Sequence, residues 1–165
     1  MTDSLPVTTV VMSGDLPATT VSDGRQLFDA MMAEVLAVAH QFGHRQHIHL
    51  AWLAVRRYGA GPAIALVSEG IERTARSAGA PQKYHATVTR AWIELVSRHM
   101  DAGTDDFDSF LTRHDGLLDK SLLSRHYRSV TLASAEARSG WVEPDLEPLP
   151  PSSAAIDGFT AGHPR

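Results

Sequence analysis

Apolar positions recur at helical spacing through most of the chain. Leu27, Phe28, Met31, Met32, Val35, Leu36, Val38, Ala39 and Phe42 predict a first helix over residues 23 to 41, with Ser22 or Asp23 as its cap. Gly43 interrupts the pattern, and a second helix over 45 to 57 follows. It is apolar on nearly every side between Ile48 and Val55, which marks it as the most buried element. Gly59-Ala60-Gly61-Pro62 combines a stop with a start, so the third helix runs over 62 to 78 and turns Ile64, Leu66, Val67 and Ile71 inward. A fourth, over 83 to 100, carries the stripe His85, Val88, Trp92, Leu95, Val96 and His99. Shorter helices follow over 105 to 114 (Phe107, Phe110, Leu111), over 117 to 127 (Leu117, Leu118, Leu122, Leu123) and over 133 to 139. Pro144, Pro148, Pro150 and Pro151 forbid helix beyond Gly140 and leave an extended strap that Trp141, Val142 and Leu146 are placed to pin down.

The pattern predicts an all-α fold, a compact helical bundle of about five to six helices closed by a Pro-rich C-terminal strap. Its domain organisation is a flexible N-terminal segment at 1–21, one helical domain at 22–150 and a disordered tail at 151–165.

The polar positions that break the apolar pattern are mostly histidines. At the helical advance of about 100° per residue, His44 and His47 stand about 60° apart on one face, while His49 points nearly opposite His47. Ala51, Ala54 and Val55 continue the His44/His47 face, so both imidazoles look toward whatever the apolar body packs against. His85 is expected in the same setting, on the inward side of the start of the fourth helix. If consecutive helices alternate in direction, the second and fourth run parallel, and all three histidines fall at one end of the bundle. Inward imidazoles are costly without partners for both nitrogens, which makes His44, His47 and His85 the candidate site. His99 lies about 21 Å further along the fourth helix and is not part of it. His114 and His126 are expected only to complement helix ends.

Composition narrows the chemistry. The chain has 165 residues, 43% hydrophobic, with nine histidines, a net charge of -4 and no cysteine. Thiol catalysis, disulfides and Cys-ligated metals are excluded, and the acidic balance argues against a nucleic-acid partner. Without a basic leader or a long apolar run, the reading is cytoplasmic with no membrane partner. No phosphate loop, nucleophile elbow, His-Glu-x-x-His or dinucleotide fingerprint is present. Asp105, Asp106 and Asp108 lack the spacing of a calcium loop and are read as helix caps. A di-iron site would need Glu-x-x-His pairs that the helices lack.

Phe42-x-His44-x-x-His47 running into Ala51-Trp52, then Lys83-Tyr84-His85-x-Thr87-x-Thr89, then the Leu/His/Tyr run at 122 to 127, and finally Ala137-Arg138 through Trp141-Val142-Glu143-Pro144-Asp145-Leu146 and Pro148-Leu149-Pro150, resemble a family of small bacterial helical proteins. The resemblance covers residues 40 to 150. It implies that the histidines and the strap form one unit, and it carries no activity.

These readings lead to an expected small metal-dependent enzyme. His44, His47 and His85 would hold Zn, Fe or Cu with an open position for a small-molecule substrate, and Tyr84 or His49 would serve as proton donor. One alternative is a metal-free lyase- or cyclase-type pocket in which the same histidines act as acid/base groups. Another is a helical module that docks a partner through its exposed faces and strap.

Overall fold

The computed structural model describes residues 19–103 and 105–151; the segments expected to be flexible at 1–21 and disordered at 151–165 lie outside the described residues except for 19–21 and 151. All regular structure among them is helical. The long elements are α1 (Thr19–Ala37), α2 (His44–Tyr58), α3 (Ala60–Ser77) and α4 (Ala86–His99). After them come α5 (Phe107–Arg113) and the short α6 (Ser129–Leu132) and α7 (Ala135–Ser139).

α2 is the axis. Ile48, Leu50, Ala51, Trp52, Leu53, Ala54 and Val55 are all buried, as an element enclosed by α1, α3 and α4 requires. Its start is fixed locally. The Gln46 side-chain carbonyl accepts from the Gly43 N–H at 2.9 Å, and the Phe42 ring meets the His47 ring edge-on at 4.4 Å, the contact of a hydrophobic staple. Stapling Phe42 onto α2 takes it away from the first helix, which therefore ends at Ala37 instead of 41 and begins at Thr19, ahead of the expected Ser22 or Asp23 cap. Only Phe28, Met31 and Val35 of its apolar set are fully buried, while Leu27, Leu36 and Val38 face solvent.

Gly59 joins α2 to α3 with φ of 84°, the left-handed region that side chains resist. α3 crosses α1 at Gly70, against which the Phe28 ring lies so closely that an added Cβ would sit 2.1 Å from a ring carbon. α4 starts later than its hydrophobic stripe suggests. A 3-10 turn, Pro81–Lys83, precedes it, and His85 is its N-cap. The segment expected as a sixth α-helix is instead two 3-10 turns, Asp115–Leu118 and Lys120–Arg125. Asp106 and Asp119 act as caps, accepting from the Ser109 and Ser121 N–H groups at 2.8 and 2.9 Å.

The strap is held largely by its backbone. Buried Thr87 donates its hydroxyl to the Gly140 carbonyl at 2.6 Å and accepts the Val142 N–H at 3.1 Å. Tyr127 donates to the Val142 carbonyl at 2.7 Å, and the Leu146 N–H donates to the His126 carbonyl at 3.0 Å. Asp145 accepts from the Arg128 N–H and the Thr131 hydroxyl. Trp141 packs edge-on against Tyr127, with the Arg90 guanidinium over its ring at 4.3 Å. Leu146, expected to pin the strap with its side chain, leaves that side chain 44% exposed. His126 is buried and donates its Nδ1–H to the Glu147 carbonyl at 2.8 Å, a structural part larger than the helix-end role expected of it.

Two stability predictions follow from these contacts. Gly70→Ala would gain about 1 kcal/mol of helix propensity, yet the Phe28 contact makes it destabilising by about 1–3 kcal/mol. Urea denaturation checks the sign, and adding Phe28→Leu is expected to recover part of the loss. Thr87→Val keeps the shape but orphans the Gly140 carbonyl and the Val142 N–H, at a cost of about 1–3 kcal/mol. Thr87→Ser, measured in the same denaturation series, retains both bonds and most of the stability.

Candidate functional site

Gly43, His44, His47 and Ala51 from α2 form one wall of a cavity of about 590 Å³, within the usual size range of small-molecule sites. Val67 and Ile71 of α3 form a second wall, and His85, Val88, Thr89, Trp92 and Ile93 a third. Leu123, Tyr127 and Leu132 close the side backed by the strap, while Lys83 and Lys120 stand at the exposed rim. His44, His47 and His85 thus border one space because α2 and α4 begin at the same end of the bundle.

Each imidazole is committed differently. A carbonyl oxygen only accepts, so the ring nitrogen facing one must carry the proton. His85 Nε2–H donates to the Leu132 carbonyl at 2.7 Å, and its Nδ1 accepts the Val88 N–H at 3.2 Å, so both nitrogens are used. The ring caps α4 and ties it to α6. His44 Nε2–H donates to the Leu117 carbonyl at 2.8 Å, and its ring lies edge-on to Trp92 at 4.5 Å, leaving Nδ1 without a hydrogen bond to the described residues. His47 Nδ1–H donates to the Gly43 carbonyl at 2.9 Å, which leaves Nε2 with its lone pair.

Burial holds the His47 pKa below 6.5. The Gly43 bond opposes this shift, and nearby His44 and Lys120 reinforce it. His47 is therefore a neutral base near pH 7. Tyr127, whose hydroxyl is buried and bonded, is pushed far up and stays protonated.

The expected proton donors are elsewhere. His49 stacks on Phe107 at 4.1 Å on the far side of α2, and Tyr84 lies with Glu72, Arg76 and Arg138 in a separate surface cleft; neither lines the cavity. The helical advance already separates His49 from His47, and the 3-10 turn before α4 rotates Tyr84 away from His85. Among the described residues no three His, Asp or Glu side chains are grouped to hold a metal ion. His85 would have to give up a backbone bond to become a ligand, so His44 Nδ1 and His47 Nε2 are the imidazole nitrogens left for a cation. Glu34, Glu72 and Glu94 are engaged by Arg57, Arg76 and the Arg90/Arg98 pair, outside the cavity.

The sequence reading passes over Lys83 and Lys120 as site residues. They are the only two lysines of the chain, and that rarity is the signal that could have found them. Ser124 and Ser129 also line the cavity, from segments whose 3-10 and single-turn geometry hides them from a periodicity argument.

No protein-family model, curated protein or solved structure matches the chain. No described helix is long and apolar enough to cross a membrane.

The pH dependence of His47 has a definite sign. Its folded pKa lies below 6.5, so the unfolded chain binds more protons in the interval between the two values, and stability rises with pH there. Stability is therefore lost as pH falls below about 6.5. His49 and His114, also lowered chiefly by burial, act in the same direction. A nitrogen-15 NMR titration of the imidazoles checks this. The expected result is a His47 midpoint below 6.5 with the Nδ1–H tautomer above it, and an Nε2–H tautomer for His85. A His47 midpoint above 6.5 would contradict the burial argument.

Proposed function

We propose that the protein binds a small organic molecule in the His44/His47 cavity and transforms it by acid/base chemistry without a bound metal. The observation that supports this reading is the hydrogen bonding of the three histidines. His85 is saturated and structural, while His44 and His47, which both line the cavity, each leave one ring nitrogen without a hydrogen bond to the described residues. His47, neutral and held by Gly43, is the proton-accepting group; once protonated it can return the proton to another atom of the bound molecule. His44 is the second acceptor and orients a donor group on the ligand. Trp92, Val67, Ile71 and Ile93 supply the apolar walls that exclude water and strengthen those polar contacts. Tyr84 and His49 take no part.

Metal-depleted protein, verified by elemental analysis, provides the test. Thermal-shift screening against a small-metabolite collection is expected to yield ligands that bind equally with and without added Zn, Fe or Cu. For a ligand that is turned over, His47→Gln is expected to lower kcat by about 100-fold or more, with folding retained. Near-stoichiometric metal in the wild type that disappears in a His44→Ala/His47→Ala double variant would overturn the metal-free reading in favour of a two-histidine metal site.

A further inference from the structure

The charge of the cavity is one-sided. Its lining contains His44, His47, His85, Lys83 and Lys120 and no Asp or Glu, in a chain whose net charge is -4. Most arginines with a nearby acid are already paired: Arg45 with Asp108, Arg57 with Glu34, Arg73 with Asp29, and Arg90 and Arg98 with Glu94. The two lysines differ. Both are exposed, and neither forms an ion pair with any described residue.

They reach the cavity from two different turns. Lys83 is delivered by the 3-10 turn before α4, and Lys120 by the turn that Asp119 caps through the Ser121 N–H. The positive ends of the α2 and α4 dipoles fall at the same place and add to the field. Below the rim the walls are apolar, from Ala51, Val67, Ile71, Val88 and Ile93, with the Trp92 ring among them.

We propose that the cavity selects an amphipathic organic anion, a carboxylate with an apolar chain or ring, whose charge sits between Lys83 and Lys120 while its body lies against Trp92. A strongly hydrated dianion fits less well, because the apolar body beneath gives it nothing to bury and no arginine fork lines the site. This assignment deepens the acid/base reading and rests on the same cavity being the functional one.

Binding is read from Trp92 fluorescence and by calorimetry, using decanoate beside decan-1-ol, decylammonium and decyl phosphate. Trp52 and Trp141 remain as internal references, and Trp92→Phe assigns the signal. The expected order is decanoate tightest, decyl phosphate weaker, decanol weaker again and decylammonium absent. Lys83→Gln and Lys120→Gln lose no ion-pair partner among the described residues. Each is expected to weaken decanoate by about three- to fivefold, with decanol affinity unchanged, and the double variant to lose about tenfold or more.

Decanol binding as tightly as decanoate would overturn the anion assignment and leave the cavity reading standing. Decyl phosphate binding tighter would overturn the carboxylate in favour of a phosphate monoester. No response from any of the four probes would overturn the assignment altogether. Decanoate binding that depends on the lysines, in a protein whose His47→Gln variant turns over its substrate as well as wild type, would uphold the anion site and sink the acid/base reading alone.

Discussion

The burial of α2 on nearly every side is the constraint on which the rest of the structure depends. A helix enclosed continuously from Leu50 to Val55 carries its polar groups toward its two ends. At the C-terminal end Arg56 and Arg57 reach outward to Asp105 and Glu34. At the N-terminal end His44 and His47 border the cavity, whose other walls α3 and α4 line with apolar side chains. The parallel sense of α2 and α4 brings the start of α4 to the same level, so His85 and Thr89 join the lining with no long-range design beyond two short loops. The apolar body and the polar mouth are consequences of one helix being central.

The wall opposite α2 depends on the strap. Tyr127, Ser129 and Leu132 belong to a stretch of short turns with little helical hydrogen bonding of its own. Its position is imposed from behind, where Tyr127 bonds Val142, Asp145 bonds Arg128 and Thr131, and His126 bonds Glu147. Thr87, fully buried inside α4, anchors the strap through both its donor and its acceptor. One hydroxyl therefore connects the helix that carries His85 and Trp92 to the segment that shapes the facing wall. Prolines in the strap suit this arrangement, since an extended chain that bonds only on one side has few amide hydrogens to satisfy.

What was legible in the chain is what periodicity encodes. The enclosed α2, the Gly59 break, the order of the long helices and the meeting of His44, His47 and His85 at one end all follow from spacing and short connections. Three features escaped for physical reasons. A histidine that caps a helix leaves no pattern, because the usual capping residues are Ser, Thr, Asp and Asn; His85 thus reads as part of a stripe. The 115–125 segment has enough leucines for an amphipathic α-helix, but Asp119 caps a fresh turn within it and divides it into two 3-10 pieces. Lys83 and Lys120, 37 positions apart in the chain, come to one cavity only through tertiary structure.

The saturated ring of His85 also fixes what the other two can do. Had all three imidazoles kept a free nitrogen, the cavity would present a ready facial set for a transition metal. Instead His85 spends one nitrogen on the Val88 N–H and the other on the Leu132 carbonyl, contacts whose loss would uncap α4 and release α6. Breaking either leaves a part-buried backbone group without this partner, a penalty a bound ion must first overcome. His44 and His47 face no such conflict, because each uses a single nitrogen to hold its own orientation. The division is that of one histidine that builds the wall and two that are oriented by it, beside a cavity whose lining carries two lysines and no carboxylate.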